Sequence, residues 1–268
     1  SPLLIAAVLG TAAFFITTRP EAYSALRGDG ALEPTRARDL ANGETLFNAG
    51  GCASCHAAPG DESRTHLSGG KPLVTPFGTF NPPNISPNQK DGIGQWSEAQ
   101  FIRAMREGVS PDGHHYYPAF PYSSYRGMTA DDVADLFAYL KTMPAVEGKA
   151  PPPDLPFPFS IRQGIGFWKL LYLNNTILTP DPTQTLEWNR GHYLVEGAGH
   201  CAECHSPRNM FGAIIADKRL SGGPNPEGKG RAPNLTPDKT GLATWSENDI
   251  VTLLKDGFTP DYDSVGGS

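Results

Sequence analysis

The spacing of apolar and polar positions predicts a helix near the start of each half of the chain. The first covers Thr35–Asn48, with apolar Leu40, Leu46 and Phe47 at helical spacing before two glycines. The second covers Thr183–Val195. Stretches rich in glycine and proline follow both helices, so the pattern favours a mainly helical protein with long ordered loops.

Three further helices are predicted from their first residues. Ser97 and Ser246 are each followed by a glutamate and an amphipathic run, which is typical of a helix N-cap. Thr129 is followed by two aspartates and then by apolar residues at helical spacing, and acids in a first turn favour a helix start. These predicted helices end near Glu107, Asp256 and Thr142.

The amino end is apolar from Leu3 to Thr17, with no charge before Arg19. This run is shorter than the roughly 20 residues that span a bilayer. Because the sequence starts without Met or a basic segment, we expect residues 1–18 to be an incomplete membrane-anchor helix, an uncleaved signal-anchor. Residues 19–34 would then be a tether. A buried core helix is the alternative.

The middle of the chain combines a proline-rich stretch with an apolar one. Pro144–Pro158 predicts a stiff connector, and Ile161–Leu173 predicts a helix. Such a helix either faces a membrane or partner, or packs between the two halves of the protein. We expect the second arrangement.

Composition excludes one class of function. The chain has 268 residues and a net charge of −6, without a basic stripe, so it is not expected to bind nucleic acid. An acidic balance is compatible with a basic protein partner. Its 30 glycines and 26 prolines agree with the predicted loops.

Two copies of Cys-x-x-Cys-His account for all four cysteines: Cys52, Cys55 and His56, then Cys201, Cys204 and His205. This is the attachment signature of c-type haem. Two thiols three residues apart form thioethers with the haem vinyl groups, and the next histidine supplies the iron's proximal nitrogen. We therefore expect two covalently bound haems c. A zinc site formed by the four cysteines is the alternative, and it leaves both histidines unexplained.

An internal repeat follows the two motifs, which lie 149 residues apart. Pro83-Asn84-Ile85-Ser86-Pro87 matches Pro233-Asn234-Leu235-Thr236-Pro237 at an offset of 150, and Trp96-Ser97-Glu98 matches Trp245-Ser246-Glu247 at an offset of 149 again. A duplicated domain explains this pattern. We therefore predict a first domain over 35–145, a connector and linker helix over 146–182, and a second domain over 183–268.

Each half resembles a class I cytochrome c domain, since a helix precedes the motif, loops follow it and a last helix packs on the first. The resemblance implies that the carbonyls of Pro83 and Pro233 orient the two imidazoles, within segments that include Asn84 and Asn234. It also implies that Trp96 and Trp245 lie against the haems and donate to a propionate. Plain core packing of the two tryptophans is the alternative.

The sixth iron ligand of the first haem is expected to be Met128, in the loop before the last helix, where class I domains deliver a methionine. The first half also offers Met105, Met143 and His66, and the alternatives to Met128 are His114 and His115. Related domains carry methionine where this chain has Phe120. In the second half Met210 lies too close to its motif, so we expect a ligand beyond Ser268 and a domain whose carboxyl-terminal part is missing.

The combined motifs resemble dihaem cytochrome c subunits of periplasmic alcohol and sugar dehydrogenases. That resemblance implies a mainly α protein with two tandem haem domains after a membrane-anchor helix. It would relay electrons from a periplasmic dehydrogenase or respiratory donor to a downstream acceptor, at the periplasmic face of a bacterial inner membrane, without catalysis of its own.

Two alternatives remain open. One is a haem-bearing subunit of a terminal oxidase or a photosynthetic complex, which shares the plan of an anchor followed by haem domains. The other is a dihaem enzyme. A thiosulfate dehydrogenase would need a further cysteine, which this chain lacks, and a peroxidase would need an open iron.

Overall fold

The computed structural model describes residues 2–22, 33–174, 177–226 and 230–264. The chain divides into two compact units, Ser1–Cys201 and Ala202–Ser268. The predicted tether over 19–34 lies mostly outside the described residues. The predicted boundary between residues 182 and 183 stays a prediction.

Unit one is mainly helical. Its helices are α1 (Pro2–Thr17), α2 (Leu40–Ala49), α3 (Cys52–His56), α4 (Glu98–Glu107), α5 (Tyr122–Tyr125), α6 (Ala130–Leu140), α7 (Gly164–Tyr172) and α8 (Leu186–Glu196). A short antiparallel hairpin joins β1 (Leu73–Thr75) to β2 (Gly78–Phe80), with Val74 opposite Thr79.

Helices α2 and α6 cross at Gly43. A Cβ built on this glycine would lie 2.3 Å from the Asp135 carbonyl oxygen, so only glycine permits the contact. Leu46 and Phe47 of α2 are buried in the core of the unit together with Val133 of α6. The residues that follow α2 therefore emerge at one fixed place beside the core.

The first helix begins later than its predicted start at Thr35. Asp39 caps α2 by accepting hydrogen bonds from the N–H groups of Ala41 and Asn42. Residues Thr35 and Arg36 are instead held to α6, since both of their N–H groups bond to the Asp131 carboxylate at 2.8 and 3.1 Å. These contacts are long-range, which is why helical spacing alone placed the start too early.

The predicted caps of the later helices are confirmed. Ser97 accepts a hydrogen bond from the Gln100 N–H and forms a capping box at the start of α4. Thr129 accepts from the Asp132 N–H at the start of α6. Gly108 ends α4 in the left-handed conformation at φ 63°, which glycine adopts without strain.

The predicted linker helix corresponds to α7. Within unit one, Lys169 of this helix and Leu173 directly after it are fully buried. Phe167 and Leu171, on the other side of the helix, are exposed. The end of α1 packs on the same helix. A Cβ on Gly166 would lie 2.4 Å from the Thr18 carbonyl oxygen, so the two backbones touch.

Helix α1 is apolar throughout and none of its side chains is buried. Among the described residues, no helix is both long enough and apolar enough to cross a membrane. The predicted membrane anchoring stays a prediction.

Helix α8, the repeat counterpart of α2, lies within unit one. The hydroxyl of its Tyr193 accepts a hydrogen bond from the Thr129 N–H at 2.9 Å. Arg190 donates to the Asn42 side-chain oxygen at 3.1 Å. The helix that leads towards the second motif is thereby attached to α2 and α6.

Unit two contains α9 (Ala202–His205), a 3₁₀ turn (Ala216–Lys218), a short hairpin of β3 (Gly223–Pro224) with β4 (Arg231–Ala232), and α10 (Glu247–Asp256). Ser246 caps α10 through a capping box with Asp249, and Gly257 ends it at φ 77°. Both ends repeat those of α4, so the predicted duplication is confirmed for this element.

Candidate haem sites

The first Cys-x-x-Cys-His motif forms the single helical turn α3. Gly51 precedes it in the left-handed conformation at φ 56°, which redirects the chain out of α2. Residues three apart lie on one side of a helical turn, so Cys52 and Cys55 face the same way. None of the four cysteines of the chain forms a disulfide.

The imidazole of His56 is held by the backbone of the loop ahead. Its Nδ1 lies 2.8 Å from the Pro83 carbonyl oxygen. Because a carbonyl only accepts, Nδ1 carries the proton and Nε2 keeps its lone pair. Burial lowers the pKa of His56 against the opposing effect of that hydrogen bond, so the ring is neutral at pH 7. A neutral ring with a free Nε2 is the form that binds iron.

The second histidine has the same arrangement within unit two. Nδ1 of His205 lies 2.9 Å from the Pro233 carbonyl oxygen. In both motifs the imidazole is thus oriented by the carbonyl of the proline that matches in the internal repeat. Such a contact tunes the basicity of a histidine ligand in metal sites. The donor set fits two c-type haems. Among the described residues no group of three or more His, Cys, Asp or Glu is placed to hold a metal ion.

Asn84 and Asn234 shape their loops through their side chains. Oδ1 of Asn84 accepts from the Ser86 N–H at 2.9 Å, and Oδ1 of Asn234 accepts from the Thr236 N–H at 2.8 Å. The Asn84 amide also donates to the carbonyls of Val146 and Gly148. These contacts fix the proline carbonyl just ahead, so the two asparagines act here on the loop backbone.

Trp96 and Trp245 occupy matching turns. Each donates its backbone N–H to the residue three positions back, Ile93 at 3.1 Å and Leu242 at 3.0 Å. Both side chains are half-buried, and Trp96 packs against the main core of its unit. The expected contact of the two indoles with a haem stays a prediction.

Among the candidate sixth ligands of the first half, Met128 and Met105 share one location. Both are buried and line a cavity of about 10 Å³. The remaining lining residues are Leu46, Gly50, Cys52, Tyr125, Leu136 and Ala198. Met128 and Cys52, the first motif cysteine, therefore line the same cavity.

The histidine candidates are less suited to bind iron. His115 is buried with both ring nitrogens in contacts, Nε2 with the Thr18 carbonyl oxygen at 2.6 Å and Nδ1 with Lys169 Nζ at 3.0 Å. His114 is exposed. In unit two, Met210 is 80% exposed.

Sequence reasoning missed His200, which directly precedes the second motif. Its Nε2 lies 3.1 Å from the carbonyl oxygen of Gly50, and its ring contacts Tyr125 edge-on. At the offset of 149 residues His200 corresponds to Gly51. A histidine in one half where the other half has glycine was the signal in the sequence that could have identified His200. The backbone that enters the second motif is thereby attached to the backbone that enters the first.

Comparison with known proteins finds a matching family profile and several similar proteins. The profile of the cytochrome c family matches residues 40–144. A dihaem cytochrome c-type protein of Cereibacter sphaeroides is 46% identical over 271 residues, which cover 99% of this chain and 87% of that protein. The similarity therefore extends through both haem motifs.

Two components of dehydrogenases are also similar. The fructose dehydrogenase cytochrome subunit of Gluconobacter japonicus is 38% identical over 87% of this chain. A nicotinate dehydrogenase subunit of Pseudomonas putida is 40% identical over 85% of this chain. The chain spans only 49% and 19% of the length of these two proteins.

Proposed function

Because the chain belongs to the dihaem c-type cytochromes, we propose that this electron carrier takes electrons singly from a periplasmic dehydrogenase and delivers them to a downstream respiratory acceptor. The observation that carries the proposal is the pair of matched contacts, His56 to Pro83 at 2.8 Å and His205 to Pro233 at 2.9 Å. Each of these histidines is the last residue of a complete attachment motif. The chain therefore holds two irons in the same manner, one in each unit.

The protein's own residues position the cofactor. Each bound haem c supplies an iron that gains and loses one electron. Cys52 and Cys55 would hold one haem, and Cys201 and Cys204 the other. The proline carbonyls keep the proton on Nδ1 of each histidine, which would leave Nε2 free to bind the metal. No side chain is required to transfer a proton to or from a substrate.

Met128 is proposed as the sixth ligand of the first iron. Its support is the burial of its side chain at 1% exposure and its place beside Cys52 in the small cavity. The contacts of both His115 ring nitrogens favour methionine over histidine. A thioether ligand raises the potential of the iron relative to two histidines.

A dehydrogenase is the proposed donor because two of the similar proteins are named as dehydrogenase subunits. Sugar, alcohol and N-heterocyclic acid oxidations all release electrons that a carrier must remove one at a time. Helix α1 is proposed to hold the carrier at the periplasmic face of the inner membrane. Its support is a run of 16 residues without a charge and without a buried side chain.

The proposal is tested by reduction of the two haems in membranes that contain the full chain. Membranes from cells with and without the gene are compared while fructose, ethanol, gluconate or nicotinate is added under anaerobic conditions. The α-band of reduced c-type haem should rise with one of these substrates, and only where the chain is present. A matched preparation with His56→Ala and His205→Ala should show no such rise.

Other outcomes would change the assignment. If no dehydrogenase substrate reduces the haems but a quinol does, the chain belongs to a respiratory complex. If purified protein consumes peroxide or thiosulfate without any partner, the carrier proposal is wrong and the chain is an enzyme.

A further inference from the structure

An exposed apolar surface runs along the connector of unit one. Phe157 is 80% exposed and Leu171 is 73% exposed, with Phe159, Ile161 and Phe167 exposed by 38 to 43%. Phe167 and Leu171 are four residues apart on α7 and so share one face of that helix. Large apolar side chains exposed together in one segment mark a candidate interaction surface.

This surface is continuous with α1. The ring centroids of Phe14 and Phe167 lie 5.6 Å apart. Thr18 is buried against Gly166 and its carbonyl oxygen contacts Nε2 of His115 at 2.6 Å. The end of α1 is thus fixed on α7, and the exposed face of α7 begins where α1 ends.

The charge of the region favours a lipid surface over a basic protein. The stretch from Leu155 to Leu173 contains no Asp or Glu, in a chain of net charge −6. Lys169 is fully buried and does not contribute to the surface charge, but Arg162 is half-buried and Arg19, two residues after the end of α1, is exposed. Basic residues next to exposed apolar ones are attracted by anionic headgroups.

We propose that the connector from Phe157 to Leu171 lies on the bilayer surface, with its exposed apolar side chains at the boundary between headgroups and acyl chains. This inference rests on the proposed anchoring by α1 and adds a second contact to it. The end of α1 and the face of α7 would then form one membrane-binding surface that holds unit one in a fixed orientation. A carrier oriented in this way presents the same side to every partner in the membrane.

The test uses the full chain with both haems, placed in vesicles of phosphatidylcholine and phosphatidylglycerol. Thioethers occupy all four native cysteines, so one introduced cysteine carries a nitroxide label at a single position. Four variants are compared: Leu9→Cys in α1, Phe157→Cys and Leu171→Cys in the proposed surface, and Leu40→Cys, an exposed apolar residue of α2, as the matched control. The measured quantity is the ratio of label collisions with oxygen, which enters lipid, to collisions with a water-soluble nickel chelate.

The expected result is a severalfold higher oxygen-to-nickel ratio at positions 9, 157 and 171 than at position 40. A high ratio at position 9 alone would overturn the inference and leave the anchor in place. Low ratios at positions 9, 157 and 171 would overturn both. Spectral broadening between labels of two chains at 157 or 171 would show a second copy on this surface, which would also overturn the inference.

Discussion

At the scale of single residues, Asp135 of α6 holds the segment that leads into α2. Its carboxylate is fully buried and accepts hydrogen bonds from Arg36 at 2.5 Å, from the Asp39 N–H at 2.8 Å and from Asn42 at 2.8 Å. Burial alone would raise the pKa of Asp135, but these donors outweigh it and lower the pKa below its ordinary value. The charged form is therefore the one that stabilises the fold.

Asp135→Asn should lower the free energy of unfolding by about 3 kcal/mol, because the Arg36 guanidinium and two further donors lose a charged acceptor. The lowered pKa also determines how the free energy of unfolding changes with pH. The stabilisation is complete above the ordinary aspartate pKa of about 4 and is lost as the pH falls through the lower folded value. Denaturant unfolding at pH 7 and at pH 3 measures both effects.

The matched control is Asp112→Asn, a change at an exposed aspartate, which should leave stability within about 0.5 kcal/mol. Equal stability of the Asp135 and Asp112 variants would contradict the assigned role.

The ligand assignment is also a question of one residue. Met128→Leu keeps the volume of the buried side chain but removes the sulfur, so the methionine-to-iron charge-transfer band of the first ferric haem should disappear. Met105→Leu, which changes a methionine lining the same cavity, should retain that band. Visible spectra of the oxidised proteins measure this. Loss of the band in the Met105 variant alone would transfer the assignment to Met105.

At the scale of the elements, the local signals were predictable and the long-range ones were not. The helix starts at Ser97, Thr129 and Ser246 follow from a side chain and the backbone N–H groups directly after it, so the sequence alone sufficed. The start of α2 was predicted too early because Thr35 bonds to Asp131, far away in the sequence. The spacing of apolar residues along the sequence gives no information about such a contact.

The same distinction applies to the sites. Both cysteine motifs and their proline carbonyls could be predicted, since spacing and resemblance fix them. The contact of His200 with the Gly50 carbonyl and the burial of Lys169 could not, because each depends on segments that meet only in the folded chain.

Lys169 attaches helix α7 to the end of α4 within unit one. Its buried amine donates to the carbonyls of Glu107 and Gly108 at the end of α4, at 2.5 and 2.8 Å, and lies 4.8 Å from the centre of the Tyr122 ring. Lys169→Met should lower the free energy of unfolding at pH 7 by about 2 kcal/mol, because two buried carbonyls lose their donor. Lys255→Met, at an exposed lysine, should not.

The pH dependence of this contact has the same sign as that of Asp135 but falls in a higher pH range. Burial lowers the pKa of Lys169 to about 7, below the value of about 10.4 in an unfolded chain. Between these values the unfolded state binds the additional proton, so stability should increase with pH by about 2 kcal/mol from pH 7 to pH 9. Denaturant unfolding of Lys169→Met should lack this increase. An unchanged slope in the variant would show that the buried amine stays charged.

At the scale of the whole molecule, the duplication gives two sites with the same proximal side and different surroundings. The bridge between Val109 and His115 in unit one recurs between Phe258 and Ser264 in unit two. His115, however, is held by Lys169 of the connector, and the corresponding position in unit two is a serine. Each proximal histidine is therefore oriented by an equivalent proline carbonyl, but the residues farther from the two histidines differ. This difference is a reason to expect two different reduction potentials.

Potentiometric titration of the full chain should accordingly show two one-electron waves of equal amplitude, since each unit holds one attachment motif. Met128→Leu should shift one wave to a lower potential, because a thioether ligand stabilises the reduced iron, while the wave of unit two keeps its position. Met105→Leu should leave both waves in place. An equal shift of both waves on loss of Met128 would show that this residue does not act on one iron alone, and the ligand assignment would then be wrong.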